Sequence, residues 1–461
     1  MARNLKETVT LLLTLVLTGG VVAGGVLWLG ERMQGDESAT VQDVDGAFES
    51  RFSRGERWLI TDNITPEKQA AQAAIAAGDL PTAIQQLEAS LVKQPNDPEA
   101  LIYLNNLRAD GQLVHRIATA VPIGSSLNAA KELLRGVAQS QNQINQGGGI
   151  KGIPLQVLVV NDDNDPAVVQ AVAQALVEQP EVLAVVGHFG SDSSLAGAEV
   201  YEAGQLVMIS PTSTSVALST AGDYIFRTVP SDRFAGSALA RYQLDRLQTT
   251  KAAVFYNAES NYSQSLRDVF MTDLASQGGE IVAEFNFTAP DFNAEAALNT
   301  ARANGAETLM LAPNSAVFEQ MVAVVTANQG ALPILAGDSA YKPELLATGE
   351  AGTGIIIAVP WHILGDPDAT FPQVARDLWG GDVNWRTAMA YDAVQAIAQG
   401  IAIAPSRTGL QTALLNNTFT NGTQGEIKFL PSGDRNQAVQ LVTIEPGTRT
   451  QYGYEFVPVT P

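Results

Sequence analysis

Cysteine is absent from this 461-residue chain, which excludes a disulfide frame, a thiolate metal site and a cysteine nucleophile. Histidine is scarce. His115, His188 and His362 are the whole complement, and no H-E-x-x-H, G-x-S-x-G or G-x-x-x-x-G-K-[ST] pattern accompanies them. Gly147, Gly148 and Gly149 follow a helical pattern instead of preceding one, so they do not form a phosphate-binding loop. Nothing here asks for a metal or cofactor, and the chain reads as a protein that is not an enzyme. Basic charge is also short: 27 Lys and Arg stand against 48 Asp and Glu, giving a net charge of -21 and a pI near 4.5. That balance disfavours nucleic acid and anionic membrane surfaces as partners.

One long uncharged run is present. Residues 9–30 carry no charge, behind Arg3 and Lys6 and ahead of Glu31, Arg32 and Asp36. Since about 20 apolar residues cross a bilayer, residues 1–35 read as a signal anchor or transmembrane helix. The run has no A-x-A cleavage site and no cysteine to carry a lipid, which favours an uncleaved anchor in the inner membrane. The preceding positive residues place the bulk of the chain on the periplasmic, extracytoplasmic side. Residues 36–65 are a polar linker. Residues 66–110 turn rich in Ala and Leu at helical spacing, with breaks at Gly78-Asp79 and at residues 94–98 that divide them into three helices. Ala71, Ala74, Ala83, Leu87, Ser90 and Pro95 resemble one tetratricopeptide repeat and the start of another. Such a unit packs on itself or on a partner protein, or serves as a spacer.

The chain is organised around residues 182–220. Residues 182–186 form a continuous apolar run, the pattern of a strand buried on both faces, and residues 187–190 turn it sharply. Ser191, Asp192, Ser193 and Ser194 are helix N-cap types, followed by an apolar stripe at Leu195, Ala198, Val200 and Tyr201. Residues 206–209 form the next strand, and residues 211–215 a second turn rich in hydroxyls. Two strands thus end in neighbouring loops full of hydroxyls and free amides, one opening a helix: a site for a small anion such as a carboxylate. The same residue types also serve simply as caps and turn formers.

From His115 onward strands and helices alternate, with strands expected at 117–123, 155–160, 252–256, 281–287, 308–311, 334–336 and 355–359. Such alternation implies α/β architecture with parallel sheets and helices on both faces. A span of about 330 residues exceeds one core, so two sheets are expected. Residues 144–152 (INQGGGIKG), Asp162-Asp163-Asn164-Asp165-Pro166, Val186-Gly187-His188, Tyr201-Glu202, Met208-Ile209-Ser210-Pro211 with Thr214, residues 390–394 (AYDAV) and residues 425–429 (GEIKF) with Gly433-Asp434 then carry a resemblance. They are similar to the type 1 periplasmic binding proteins, nearest the branched-chain amino-acid-binding proteins of ABC transporters.

The resemblance implies two doubly wound lobes joined by three hinge crossings, near 229–233, 359–362 and 441–445. Lobe 1 would comprise 115–231 and 362–440, and lobe 2 232–361 and 441–461. It also implies a ligand site. Ser191 and Thr214 would hold a ligand carboxylate by their hydroxyls, Thr212 and its neighbour Ser213 would complete that half, Asp338 would face an ammonium, and Tyr262 would contribute an aromatic contact from lobe 2. Asn314, with Ser315, stands where relatives near the leucine binders carry an aromatic residue, and Ala129-Ala130 lacks another. That suits a polar or larger ligand. Asp192 is expected to act as a cap pointing away, and His188 to have a packing or loop role.

The function implied is that of a solute-binding protein passing an amino acid, or a related amide or urea-like solute, to ABC permease subunits. The alternative is a sensor or receptor signalling through a partner protein, with the helical segment as its contact.

Overall fold

The computed structural model describes residues 48–459. The described residues from Ser53 onward form one compact unit, which holds two lobes and the helices that precede them. The expected membrane anchor, residues 1–35, and the first part of the linker lie outside the described residues. Among the described residues no helix is long and apolar enough to cross a membrane.

Three helices come first: α1 (Pro66–Ala76), α2 (Leu80–Lys93) and α3 (Pro98–Arg108). Each has a proline in its first turn and an N-cap side chain accepting from a backbone amide: Thr65 from Lys68, Asp79 from Thr82 and Asp97 from Ala100. Residues 98–106 of α3 are all buried, because the helix lies between α1 and α2 and the first lobe, and shares a hydrophobic core with both. The segment therefore packs into the lobe and is not a free spacer. Its polar residues make the join. Asn106 Nδ2 donates to the carbonyls of Val157 (2.7 Å) and Arg54 (2.9 Å), while its Oδ1 accepts from the Val157 amide (3.0 Å) and Gln141 Nε2 (2.9 Å). Every hydrogen-bonding site on this buried amide is filled, as burial requires.

The first lobe holds strands β1 (His115–Val121), β2 (Leu155–Asn161), β3 (Val182–Val186), β4 (Val207–Ser210) and β5 (Ile225–Arg227), parallel and in the order β2-β1-β3-β4-β5. Helix α4 (Leu127–Gln146) follows β1, α5 (Pro166–Val177) follows β2, and α6 (Ser191–Ala203) follows β3. The lobe is completed later in the chain by α11 (Phe371–Trp379), α12 (Trp385–Ile403), α13 (Arg407–Asn416) and the hairpin β11 (Thr418–Gly422) with β12 (Gly425–Lys428). Helices α4 and α12 pack closely at Gly136, where a Cβ would lie 2.2 Å from the Thr387 carbonyl oxygen.

The second lobe comprises α7 (Asp232–Arg241), β6 (Lys251–Tyr256), α8 (Asn261–Ser276), β7 (Glu280–Asn286), α9 (Ala294–Ala303), β8 (Thr308–Ala312), α10 (Phe318–Asn328), β9 (Ile334–Ala336) and β10 (Ile356–Val359). Strands β13 (Gln440–Pro446) and β14 (Tyr454–Pro458) finish the sheet, in the order β14-β13-β10-β9-β8-β6-β7. Pairs among β6 to β10 are parallel, whereas β13 enters antiparallel to β10 and hairpins onto β14. This sheet is mixed, where a wholly parallel one is expected from the alternation.

Three segments cross between the lobes, at residues 228–231, 360–370 and 436–439. The third falls earlier than the expected 441–445, because Leu441, Val442 and Thr443 pair with Ala358, Ile357 and Ile356 inside the sheet of lobe 2.

Beneath α3, the buried Glu99 accepts from the amides of Leu59 (2.7 Å) and Ile60 (3.2 Å) and from the Tyr103 hydroxyl (2.9 Å), with Lys68 Nζ 3.8 Å away. Burial pushes its carboxyl from 4.5 up to about 7, with the Lys68 charge and these donors opposing the rise. Because the folded value is the higher one, folding favours the protonated form. The stability it contributes is full below the ordinary value and is lost as pH rises through about 7. A Glu99→Gln variant does not titrate there, so its stability relative to wild type should improve as pH is raised across that interval. Urea unfolding at several pH values measures this, and a constant difference would contradict it.

Candidate functional site

Both β3 and β4 end at the interlobe cleft. The amides in the first turn of α6 have no intrahelical acceptors, and the N-cap is Gly190, without a side-chain cap. Beneath this loop His188 is fully buried, with Nδ1 2.6 Å from Asp162 Oδ2 and Nε2 2.9 Å from the Tyr201 hydroxyl. Its ring is engaged inside the lobe and does not line the cleft. The His188 carbonyl accepts from Ser210 Oγ (2.8 Å) and the Phe189 carbonyl from Thr212 Oγ1 (2.8 Å). Hydroxyls of the second loop thereby fasten the first.

A cavity of about 370 Å³ lies between the lobes. Lobe 1 contributes Ser191, Asp192 and Thr212, and lobe 2 contributes Tyr262, Asn314 and Asp338. Five of the seven residues expected at the site, Ser191, Thr212, Tyr262, Asn314 and Asp338, therefore share one space. Ser213 and Thr214 are buried beside it and do not line it: Ser213 Oγ meets Ser194 Oγ at 2.7 Å, and the Thr214 carbonyl accepts from the Asp232 amide at 2.9 Å. Ser191 Oγ accepts from the Ser215 amide at 3.3 Å, which joins the two loops.

On the opposite wall Asp338 opens the short 3-10 turn Asp338–Ala340 after β9, and Tyr262 lies in the first turn of α8. The Tyr262 hydroxyl donates to Asp338 Oδ1 at 2.6 Å. Burial raises the Asp338 carboxyl, opposed by that hydrogen bond and by the Arg386 charge. Asn314 Oδ1 accepts from Asn257 Nδ2 at 3.1 Å. Asp192 differs from the expected outward cap. It lines the cavity and accepts from the Asn261 amide (3.2 Å) and side-chain nitrogen (2.6 Å), so the lobes touch across the mouth.

Phe189, Trp385 and Arg386 also line the cavity and were not expected there. Arg386 is 5% exposed, and burial lowers its guanidinium, with the charges of Asp338 and Glu132 acting the other way. The Asn384 N-cap before Arg386 marks the start of α12 in the sequence, but nothing local tells that this first turn faces a cleft.

Residues 116–449 match the family model described as "Periplasmic binding protein". An amino acid binding protein of Pseudomonas aeruginosa is 31% identical over 185 residues, 40% of this chain and about half (49%) of that relative's length. The leucine-, isoleucine-, valine-, threonine-, and alanine-binding protein of the same organism is 25% identical over 329 residues, 69% of this chain and 86% of the relative. Among solved structures, a leucine binding protein from Thermotoga maritima superposes with a TM-score of 0.65 at 22% identity, covering 76% of this chain and 99% of its own. A solute binding protein of an ABC transporter from Rhodopseudomonas palustris, in complex with 3,4-dihydroxy benzoic acid, has a TM-score of 0.65 at 16% identity, covering 75% and 96%. At these identities the structural likeness speaks to the fold.

The Tyr262 hydroxyl favours the charged form of Asp338. Tyr262→Phe removes that donor, so Asp338 should titrate at higher pH than in wild type. A carboxyl carbon NMR titration reads this directly; an unchanged or lower value would show that Tyr262 does not support the charge.

Proposed function

We propose, from the premise that this chain belongs to the periplasmic binding protein family, that it captures an amino acid or related small polar solute between its lobes and delivers it to an ABC permease. One observation carries the reading: the cavity joins hydroxyls and helix amides on the lobe 1 wall, at Ser191 and Thr212, to a buried carboxylate on the lobe 2 wall, at Asp338. An α-amino acid presents the complementary pair, a carboxylate and an ammonium one carbon apart. Hydrogen bonds to charged groups contribute roughly 1.5–3 kcal/mol each, and micromolar affinity needs about 8 kcal/mol. A few such bonds would be enough. The names of the relatives, which include binders of leucine and of other amino acids, support the class of ligand. The proposal places the domain outside the cytoplasmic membrane, with residues 9–30 as its tether.

A calorimetric and thermal-shift panel of amino acids, amides and urea derivatives tests this reading, and stabilisation by none of them would overturn it. Asp338→Ala should abolish binding of any zwitterion while the melting temperature stays near that of wild type. Full affinity in that variant would mean that no ammonium sits at Asp338. Ser191→Ala should weaken a carboxylate ligand by roughly 1.5–3 kcal/mol, the loss of one charge-assisted bond, as read by titration calorimetry.

A further inference from the structure

The cavity does not end at the groups that suit an α-amino acid. Ser126, Phe189, Ser315 and Arg386 line it and also line a second cavity of about 250 Å³, so the two adjoin at these four residues. The second cavity is lined in addition by Lys342, whose ammonium lies 4.4 Å over the Phe318 ring. Two carboxylates also line it. Glu132 is engaged by Arg135 and Thr387, and Glu344 is exposed on the surface.

Arg386 sits at the junction with its charge unspent. Its guanidinium is stacked on Trp385, 4.3 Å from the ring centroid, with Phe189 at 5.9 Å. Among the described residues its guanidinium has one hydrogen bond, a long contact of 3.4 Å from NH1 to the Tyr341 carbonyl, and Nε is buried with no partner. Among the described residues it forms no salt bridge, although the Asp338 and Glu132 charges are near enough to be felt. A buried guanidinium with open donors is costly unless something completes it. The planar fork suits a carboxylate held by two parallel bonds, and the stacking already fixes the plane.

Resting on the reading of Ser191, Thr212 and Asp338 as the α-amino-acid subsite, we infer that the ligand carries a second, distal carboxylate received by Arg386. The solute class is therefore a dicarboxylic amino acid, and Arg386 is the residue that selects it over neutral ones. Leucine-type side chains would leave the guanidinium unpaired and dehydrated, which is discrimination by an unsatisfied polar group.

Titration calorimetry with L-glutamate, its neutral isostere L-glutamine and L-leucine tests this on the whole protein. Wild type should bind glutamate at least about tenfold more tightly than glutamine or leucine. Arg386→Gln should lose that preference with glutamine affinity kept, and Arg386→Lys should restore part of it. Should wild type bind glutamine or leucine as tightly as glutamate, the inference fails while the amino-acid reading of the cleft stands. This comparison needs no variant to fold. If Arg386→Gln melts like wild type and keeps the preference, Arg386 is not the selector. If none of the three probes binds, the amino-acid reading fails and takes the inference with it.

Discussion

The buried guanidinium of Arg227, at the end of β5, is the interaction on which the geometry of the cleft depends. It donates to the carbonyls of Ser213 (3.2 Å) and Ser215 (2.7 Å) and to the Ser219 hydroxyl (2.8 Å), and Nε reaches Asp434 Oδ1 at 2.7 Å. Ser219 also donates to the other oxygen of Asp434. Removing one partner of such a buried pair strands the other without water. The cluster binds three things into one body: the hydroxyl loop behind Thr212, the strand leading into the first crossing, and the loop leading into the third. Positioning a wall of the cavity and positioning the hinge are thus one task for this sequence.

The two walls obtain their polarity differently. On lobe 1 the hydroxyls of the strand-end loops are linked to one another and to the carbonyls of His188 and Phe189, so that part of the wall is a set of neutral dipoles held by local bonds, beside the charged Asp192 and Arg386. On lobe 2 a single carboxylate is held by one phenol, and across the cavity lies a guanidinium with which it forms no salt bridge. Opposite charges kept apart in a shared low-dielectric space leave each able to meet a complementary group from outside.

Much of this was legible in the chain, and what was not has physical reasons. The buried strands announced themselves as apolar runs, and β3 spans the five residues expected, Val182–Val186. The loops that bring Ser191 and Thr212 to the cavity followed from the strand ends. Which hydroxyl in residues 211–215 faces the cavity did not, because consecutive residues of a turn point in different directions and all are of one chemical type. Leu441 to Thr443, expected within the third crossing, pair as a strand instead, and the sequence does not show this because an apolar run does not name its neighbour. Arg386 carries no local signal of a site, because its burial arises from α12 meeting residues far away in sequence. Asn105 and Asn106 are buried and spent on hydrogen bonds to lobe 1, a role that no local signal in the sequence marks.

The union of α3 with lobe 1 makes the molecule mechanically lopsided. Through Asn106 and a shared core, residues 54–108 move with the first lobe, which acts as a stator, while Tyr262, Asn314 and Asp338 ride on the lighter rotor. Any rocking about the three crossings then carries Asp338 toward the hydroxyl wall of the stationary lobe, and the contacts that span the lobes, Asp192 with Asn261, the Val216 amide with Ser265 Oγ and Arg449 with Asp382 among them, must part for it to swing back.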